Sequence, residues 1–246
     1  MKDTAFLIDK LGSLKTFNRA DLYAIMMESG YQTSDSIVNH MIARMVQDGA
    51  VIRLGRNQYT VANEKKIYYF PHSEKVISLA DEIGSAHPYL DFRIFELVQL
   101  NEFVNHQIAH NIIIVSVEGE LEEDVFNTLW ENHEGSVLLK PSIEDVFRYM
   151  TEGIIVINKL PSESPRGSAD FWDTRLEKML VDIAVDKILR KVVYSGEYPA
   201  IFQDSFKKYA IDKNVMTRYA RRRGALEKYR TFLRNEAGIP QEEFSI

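Results

Sequence analysis

The stretch Thr33-Ser34-Asp35-Ser36-Ile37-Val38-Asn39-His40-Met41-Ile42-Ala43-Arg44-Met45-Val46-Gln47-Asp48-Gly49 carries two patterns at once. Ile37, Val38, Met41, Ile42 and Met45 recur at intervals of three and four, which puts them on one face of a helix. Ser34, Ser36, Asn39, His40 and Arg44 fall between them and form a polar face. Thr33, Ser34 or Asp35 can cap the start, and Gly49 suits the left-handed position that ends a helix.

Working outward, Phe6, Leu7, Leu11 and Leu14 predict a first helix. Asn18 predicts the cap of a second, with Leu22, Tyr23, Ile25 and Met26 as its apolar residues. Downstream, residues 51–54 and 58–61 read as strands around the turn Gly55-Arg56-Asn57. Three short helices followed by a hairpin is the order of a winged helix-turn-helix. In that module the third helix enters the major groove and the hairpin meets the backbone. Asn39 and Arg44 are the residue types that read adenine and guanine bidentately. Thr33, Ser34, Ser36 and His40 complete the helix set. Arg53, Arg56, Asn57 and Tyr59 supply phosphate contacts from the hairpin. The same polar residues would equally solvate an exposed helix, and such modules also serve protein–protein contact.

The whole chain has 246 residues, a formal net charge of −6 and no cysteine. Disulfides, thiolate metal sites and cysteine nucleophiles are thereby excluded. The charge is uneven: residues 1–62 sum to +1, residues 63–210 to −10 and residues 211–246 to +3. No apolar run approaches the roughly 18 residues of a membrane span, and the start lacks a signal-peptide pattern. A cytoplasmic protein is expected.

Beyond the first domain, assigned to residues 1–65, strands over 67–70, 92–98, 111–118, 137–139 and 154–157 interleave with helices over 121–133 and 143–150. A polar loop, 161–168, leads into helices over 174–193, 200–209 and 215–233. The expected fold is therefore α/β: a winged helix-turn-helix, then a mixed-sheet domain over 66–246 with a helical carboxy-terminal part.

Other constellations are less specific. Lys178, Asp182 and Asp186 share one helix with Glu177 and Lys187, either as a partner-facing patch or as solvated charges beside the stripe Leu176, Met179, Leu180, Ile183. Arg218, Arg221, Arg222 and Arg223 are the densest basic cluster and suit an acidic partner or nucleic acid. Asp91, Glu118 and Lys140 would have to converge to make a nuclease, yet no acid-x-lysine pair lies on a strand. His106 and His110 are four apart but abut a strand. No catalytic set, metal site or cofactor fingerprint is expected.

Four stretches in order carry a family likeness: Leu100-Asn101-Glu102-Phe103 with Gln107; Asn111-Ile112-Ile113-Ile114-Val115; Leu176-Glu177-Lys178-Met179-Leu180-Val181-Asp182-Ile183 with Asp186-Lys187; and Arg218-Tyr219-Ala220-Arg221-Arg222-Arg223-Gly224. With the amino-terminal module, they resemble the AbiEi-type antitoxins of type IV toxin–antitoxin systems. The resemblance implies a repressor of its own operon that binds double-stranded operator DNA. It also implies that the second domain counters a nucleotidyltransferase-like toxin, with no stable complex required. Two other readings stay open: a nucleic-acid-acting enzyme targeted by the first domain, and a plain transcriptional regulator responding to a ligand or partner.

Overall fold

The computed structural model describes residues 2–14, 16–62, 67–167 and 170–240. The chain divides into two compact units, one of Met1–Ile67 with Phe206–Val215 and one of Tyr68–Ser205 with Met216–Ile246.

The first unit opens with α1 (Lys2–Gly12), α2 (Arg19–Glu28) and α3 (Asp35–Gln47). Asn18 starts α2 through a capping box. Its side chain accepts from the Ala20 and Asp21 N–H groups, and Asp21 accepts from the Asn18 N–H. Ser34 caps α3 by accepting from the Ile37 N–H at 3.3 Å. Strands β1 (Val51–Gly55) and β2 (Gln58–Val61) pair antiparallel. Asn57, in the turn, holds φ 56°, a conformation asparagine tolerates. Phe17 forms a bridge to Tyr59, exchanging two 2.8 Å backbone hydrogen bonds. Leu7, Leu11, Phe17, Leu22, Met26, Val38, Ile42, Met45, Val51, Tyr59 and Val61 make one core.

The second unit is built on a four-stranded mixed sheet, in agreement with the α/β expectation. Helix α4 (Glu74–Ala86) precedes β3 (Phe92–Glu96), and β4 (Ile112–Val117) follows a short 3-10 turn. Then come α5 (Glu122–His133), β5 (Val137–Leu139), α6 (Ile143–Arg148) and β6 (Ile154–Lys159). The strand order is β3-β4-β6-β5, with β3 antiparallel to β4 and the other pairs parallel. Alternation along the strands sorts the side chains. Ile113, Val115, Val117, Ile155 and Ile157 pack with Val76, Leu79 and Ile83 of α4 and Val125 and Leu129 of α5. Sheets with helices over them require strands apolar throughout, and all six residues of β4 are buried. The carboxy-terminal helices are α7 (Leu176–Val185), α8 (Leu189–Val192), α9 (Tyr198–Lys208), α10 (Lys213–Arg222) and α11 (Leu226–Asn235). Among the described residues, no helix is long and apolar enough to cross a membrane.

Three expected elements differ. Residues 67–70 are not a strand: Ile67 and Tyr69 are exposed, and Tyr68 packs on the Phe103 ring instead of entering a ladder. The helix expected over 174–193 breaks at Asp186, whose side chain accepts from the Ile188 and Leu189 N–H groups. The helix expected over 215–233 becomes α10 and α11 because Gly224 takes φ 63° between them. The last residue of the expected 161–168 loop lies outside the described residues.

A buried ionic knot holds the sheet's β3 edge. His72 lies between two carboxylates, Nδ1 at 3.1 Å from Glu96 and Nε2 at 3.1 Å from Asp173. Glu96 also accepts from the Ser73 N–H, the Ser73 hydroxyl and the Asn111 amide. Beside it, the Ile94 N–H donates to the Trp172 carbonyl and the Thr174 hydroxyl donates to the Ile94 carbonyl, which closes the strand edge. Burial alone would lower the His72 pKa, but hydrogen bonds to Asp173 and Glu96 outweigh it and raise the value to about 9. Burial pushes Glu96 up, while bonds from His72 and Ser73 carry it below its ordinary value. A raised histidine stabilises the fold in full below its ordinary 6.5, and that contribution is lost as pH climbs to about 9. Urea unfolding should therefore lose about 3 kcal/mol across that interval. His72→Gln should start less stable and show a much flatter slope over the same pH range.

Candidate nucleic-acid interface

The apolar stripe of α3 sets which of its faces remains free. Val38, Ile42 and Met45 are buried in the core and Met41 is half-buried. Ile37 is 42% exposed, so the buried stripe is narrower than the expected set. Ser36, Asn39, His40 and Arg44 are exposed on the remaining surface. Arg44 lies 3.8 Å from Asp48, with both side chains more than half exposed. Such a pair is worth little and leaves the guanidinium available. Thr33 and Ser34 are engaged locally. The Thr33 hydroxyl donates to the Tyr31 carbonyl at 2.8 Å, and Ser34 is the cap.

On the hairpin, Arg53 and Arg56 are exposed, and the Arg53 Nε donates to the Gly55 carbonyl at 3.2 Å. The Asn57 side chain accepts from the Arg19 N–H at 3.1 Å, tying the turn to the start of α2. Arg19, Ala20, Tyr23, Asp35, Val38, Asn39 and Asn57 line a groove of about 510 Å³. Arg19 and Tyr23 are thus site residues the sequence reading missed. The available signal was the Asn18 cap, which puts Arg19 at the first helical position.

A second omission comes from far along the chain. Phe206–Val215 clusters with the first unit, and the Asn214 amide sits 2.7 Å from where a Cβ on Gly55 would be. A side chain at position 55 would make the Asn214 amide shift. The segment adds Lys207, Lys208 and Lys213 to the unit. The unit then holds twelve Lys and Arg against eight Asp and Glu, a net of +4.

Three expected contact residues are elsewhere. Tyr59 is 3% exposed and its ring stacks on Phe17 at 5.7 Å. It is a core residue, because a ring opposite the Phe17 bridge closes the base of the hairpin. Lys178 and Asp182 are 3% and 8% exposed, so they are neither a partner-facing patch nor solvated charges. Lys178 donates to Asp182 Oδ2 at 2.7 Å. The Tyr219 hydroxyl and Arg223 donate to Oδ1 at 3.0 and 2.5 Å. Burial would raise the Asp182 pKa, but the charges of Lys178 and Arg223 hold it below its ordinary value. Asp186 is half-buried, 3.6 Å from Arg223. Arg218, Arg221 and Arg222 are exposed, and Arg222 pairs with Glu163.

Asp91 is held by Arg93 at 2.6 Å and Arg166 at 3.0 Å, and its N–H donates to Glu118 at 2.7 Å. Lys140 instead pairs with Glu122, so it does not join the two acids. His106 and His110 contact different glutamates, Glu197 and Glu152. Among the described residues, no group of three or more His, Asp or Glu side chains is arranged to hold a metal ion.

These placements make two stability predictions. Tyr59→Ala should cost about 3–5 kcal/mol through lost core volume, while Tyr59→Phe should cost under about 1.5 kcal/mol, both read by denaturant unfolding. Asp182→Asn should cost about 3 kcal/mol, because it leaves the buried Lys178 ammonium without its counter-charge and deprives Arg223 of its nearer carboxylate.

No curated protein matches the chain. Among solved structures, the RV2827C protein from Mycobacterium tuberculosis aligns at 10% identity with a TM-score of 0.32, covering 95% of this chain and 76% of that one. That likeness is too distant to carry an argument. A model of a family of unknown function, DUF6577, matches residues 37–238, from within α3 to beyond α11. The chain accordingly belongs to the DUF6577 family.

Proposed function

We propose that the first unit binds double-stranded DNA as a winged helix-turn-helix. In this reading α3 lies in the major groove and the hairpin lies against the phosphate backbone. The observation that carries it is the free face of α3. Ser36, Asn39, His40 and Arg44 stand opposite a buried apolar stripe, with Arg19, Arg53 and Arg56 on flanking elements. Bidentate side chains at the centre with cations at the margin is the arrangement that separates base reading from phosphate contact. The net charge of +4 on this unit supports the same reading against a whole-chain charge of −6.

The likeness to AbiEi-type antitoxins gives the binding a purpose. The protein would repress its own operon through the first unit and counter a nucleotidyltransferase-like toxin through the second. The exposed arginines of α10, Arg218, Arg221 and Arg222, are the surface residues that suit an acidic partner.

The test is a binding titration against DNA from upstream of the gene, repeated over a salt series. Arg53→Ala and Arg56→Ala should each weaken binding to all sequences alike and reduce the salt slope by about 1. Asn39→Ala and Arg44→Ala should lower discrimination between operator and random DNA by about 1–3 kcal/mol and leave the slope nearly unchanged. Parent-like binding by all four variants would remove α3 as the reading element.

A further inference from the structure

On the face of the sheet opposite α4 and α5, a small cavity lies between the strands and the carboxy-terminal helices. Its volume is about 30 Å³, where some 10–15 Å³ suffices for one water. Ser116 of β4 and Asn158 of β6 are register partners near the carboxyl ends of two parallel strands, and both line it. Carboxyl ends of parallel strands are where open α/β sheets hold ligands. Lys178, Asp182, Asp186, Tyr219 and Arg223 form the opposite wall, with Lys159 at the strand end.

A census of donors and acceptors shows what this wall lacks. Both carboxylates are engaged. Asp182 takes three hydrogen bonds, from Lys178, Tyr219 and Arg223. Asp186 takes two from backbone N–H groups and faces Arg223. The donors are in surplus. Lys178 carries three N–H groups and spends one on Asp182. Ser116 is only 6% exposed, and among the described residues its hydroxyl has no hydrogen-bond partner. The Asn158 side chain has none either. Within the wall Lys178 and Arg223 balance Asp182 and Asp186, and the exposed Lys159 adds one positive charge at the cavity's edge. A wall with idle donors and one spare positive charge at its edge suits an acceptor-rich anion.

We infer that this cavity is a binding site for a small oxyanion, a phosphate or a carboxylate, held by Ser116, Asn158, Lys159 and Lys178. The site is independent of the DNA reading, since every residue in it belongs to the second unit. It gives that unit a ligand-sensing role.

The test uses the full chain and two probes, inorganic phosphate and acetate, each titrated by calorimetry at constant ionic strength with chloride as the control ion. The expected result is saturable one-to-one binding of at least one probe, with phosphate and acetate affinities distinguishing a phosphoryl from a carboxylate guest. Ser116→Val should fill the cavity and abolish that binding, and Ser116→Ala, which leaves the fold and the Lys178–Asp182 pair intact, should weaken it three- to tenfold. Circular dichroism of both variants should match the parent. Absence of saturable binding by either probe overturns the inference, as does parent-like binding by folded Ser116→Val. Neither outcome affects the Asn39, Arg44, Arg53 and Arg56 titrations, which judge the DNA reading separately.

Discussion

A carboxylate removed from water must find its donors inside the protein, and two such carboxylates organise the second unit. Glu96 is fully buried and draws in His72, Ser73 and Asn111, joining the segment before α4 to β3 and the start of β4. Asp182, on α7, draws in Lys178 from its own helix, Tyr219 from α10 and Arg223 just beyond it. Each cluster adds less stability than its charges suggest, since the desolvation of each ion offsets much of the attraction. They act through geometry. A hydrogen-bonded charge has few acceptable partners, so each knot fixes how elements distant in sequence meet, which apolar contacts alone specify less sharply.

The first unit follows the opposite rule. Among its described residues no acid or base is buried, and the polar side chains of the outer α3 face, Ser36, Asn39, His40 and Arg44, are exposed. Rigidity comes from backbone devices instead: the Asn18 capping box, the Ser34 cap, the Phe17–Tyr59 bridge and Asn57 bonded to the Arg19 N–H. Each holds a site element in place without using up the side chains of the free α3 face.

How much of this was legible in the sequence depended on the range of the interaction. The order of three helices and a hairpin, and the alternation of strands and helices after it, rest on local periodicity and capping, and both are seen. The breaks at Asp186 and Gly224 were missed because apolar spacing continues through them; only a side chain turning back to cap, or a positive φ, interrupts the helix. Tyr59 was misassigned because tyrosine is equally suited to a wet edge and a core, and the choice is made by Phe17, forty-two positions away. Lys178 and Asp182 looked like surface charges because i,i+4 spacing is the same for a solvated pair and a buried one. The part played by Phe206–Val215 has no local signature at all; it arises where Asn214 meets Gly55.

The placement of charge decides how such a protein would meet a polyanion. With +4 on the first unit and −10 on the rest, a duplex is attracted to one region of the molecule and repelled by the other. Non-specific binding, which comes from phosphate neutralisation over a broad area, is thereby restrained. In the proposed reading, base contacts would then supply a larger share of the affinity through Asn39 and Arg44, the bidentate side chains on the free face of α3. A modest basic surface set in an acidic chain is therefore no argument against DNA recognition. It shifts the balance from affinity toward discrimination, which is the property a regulator of one promoter requires.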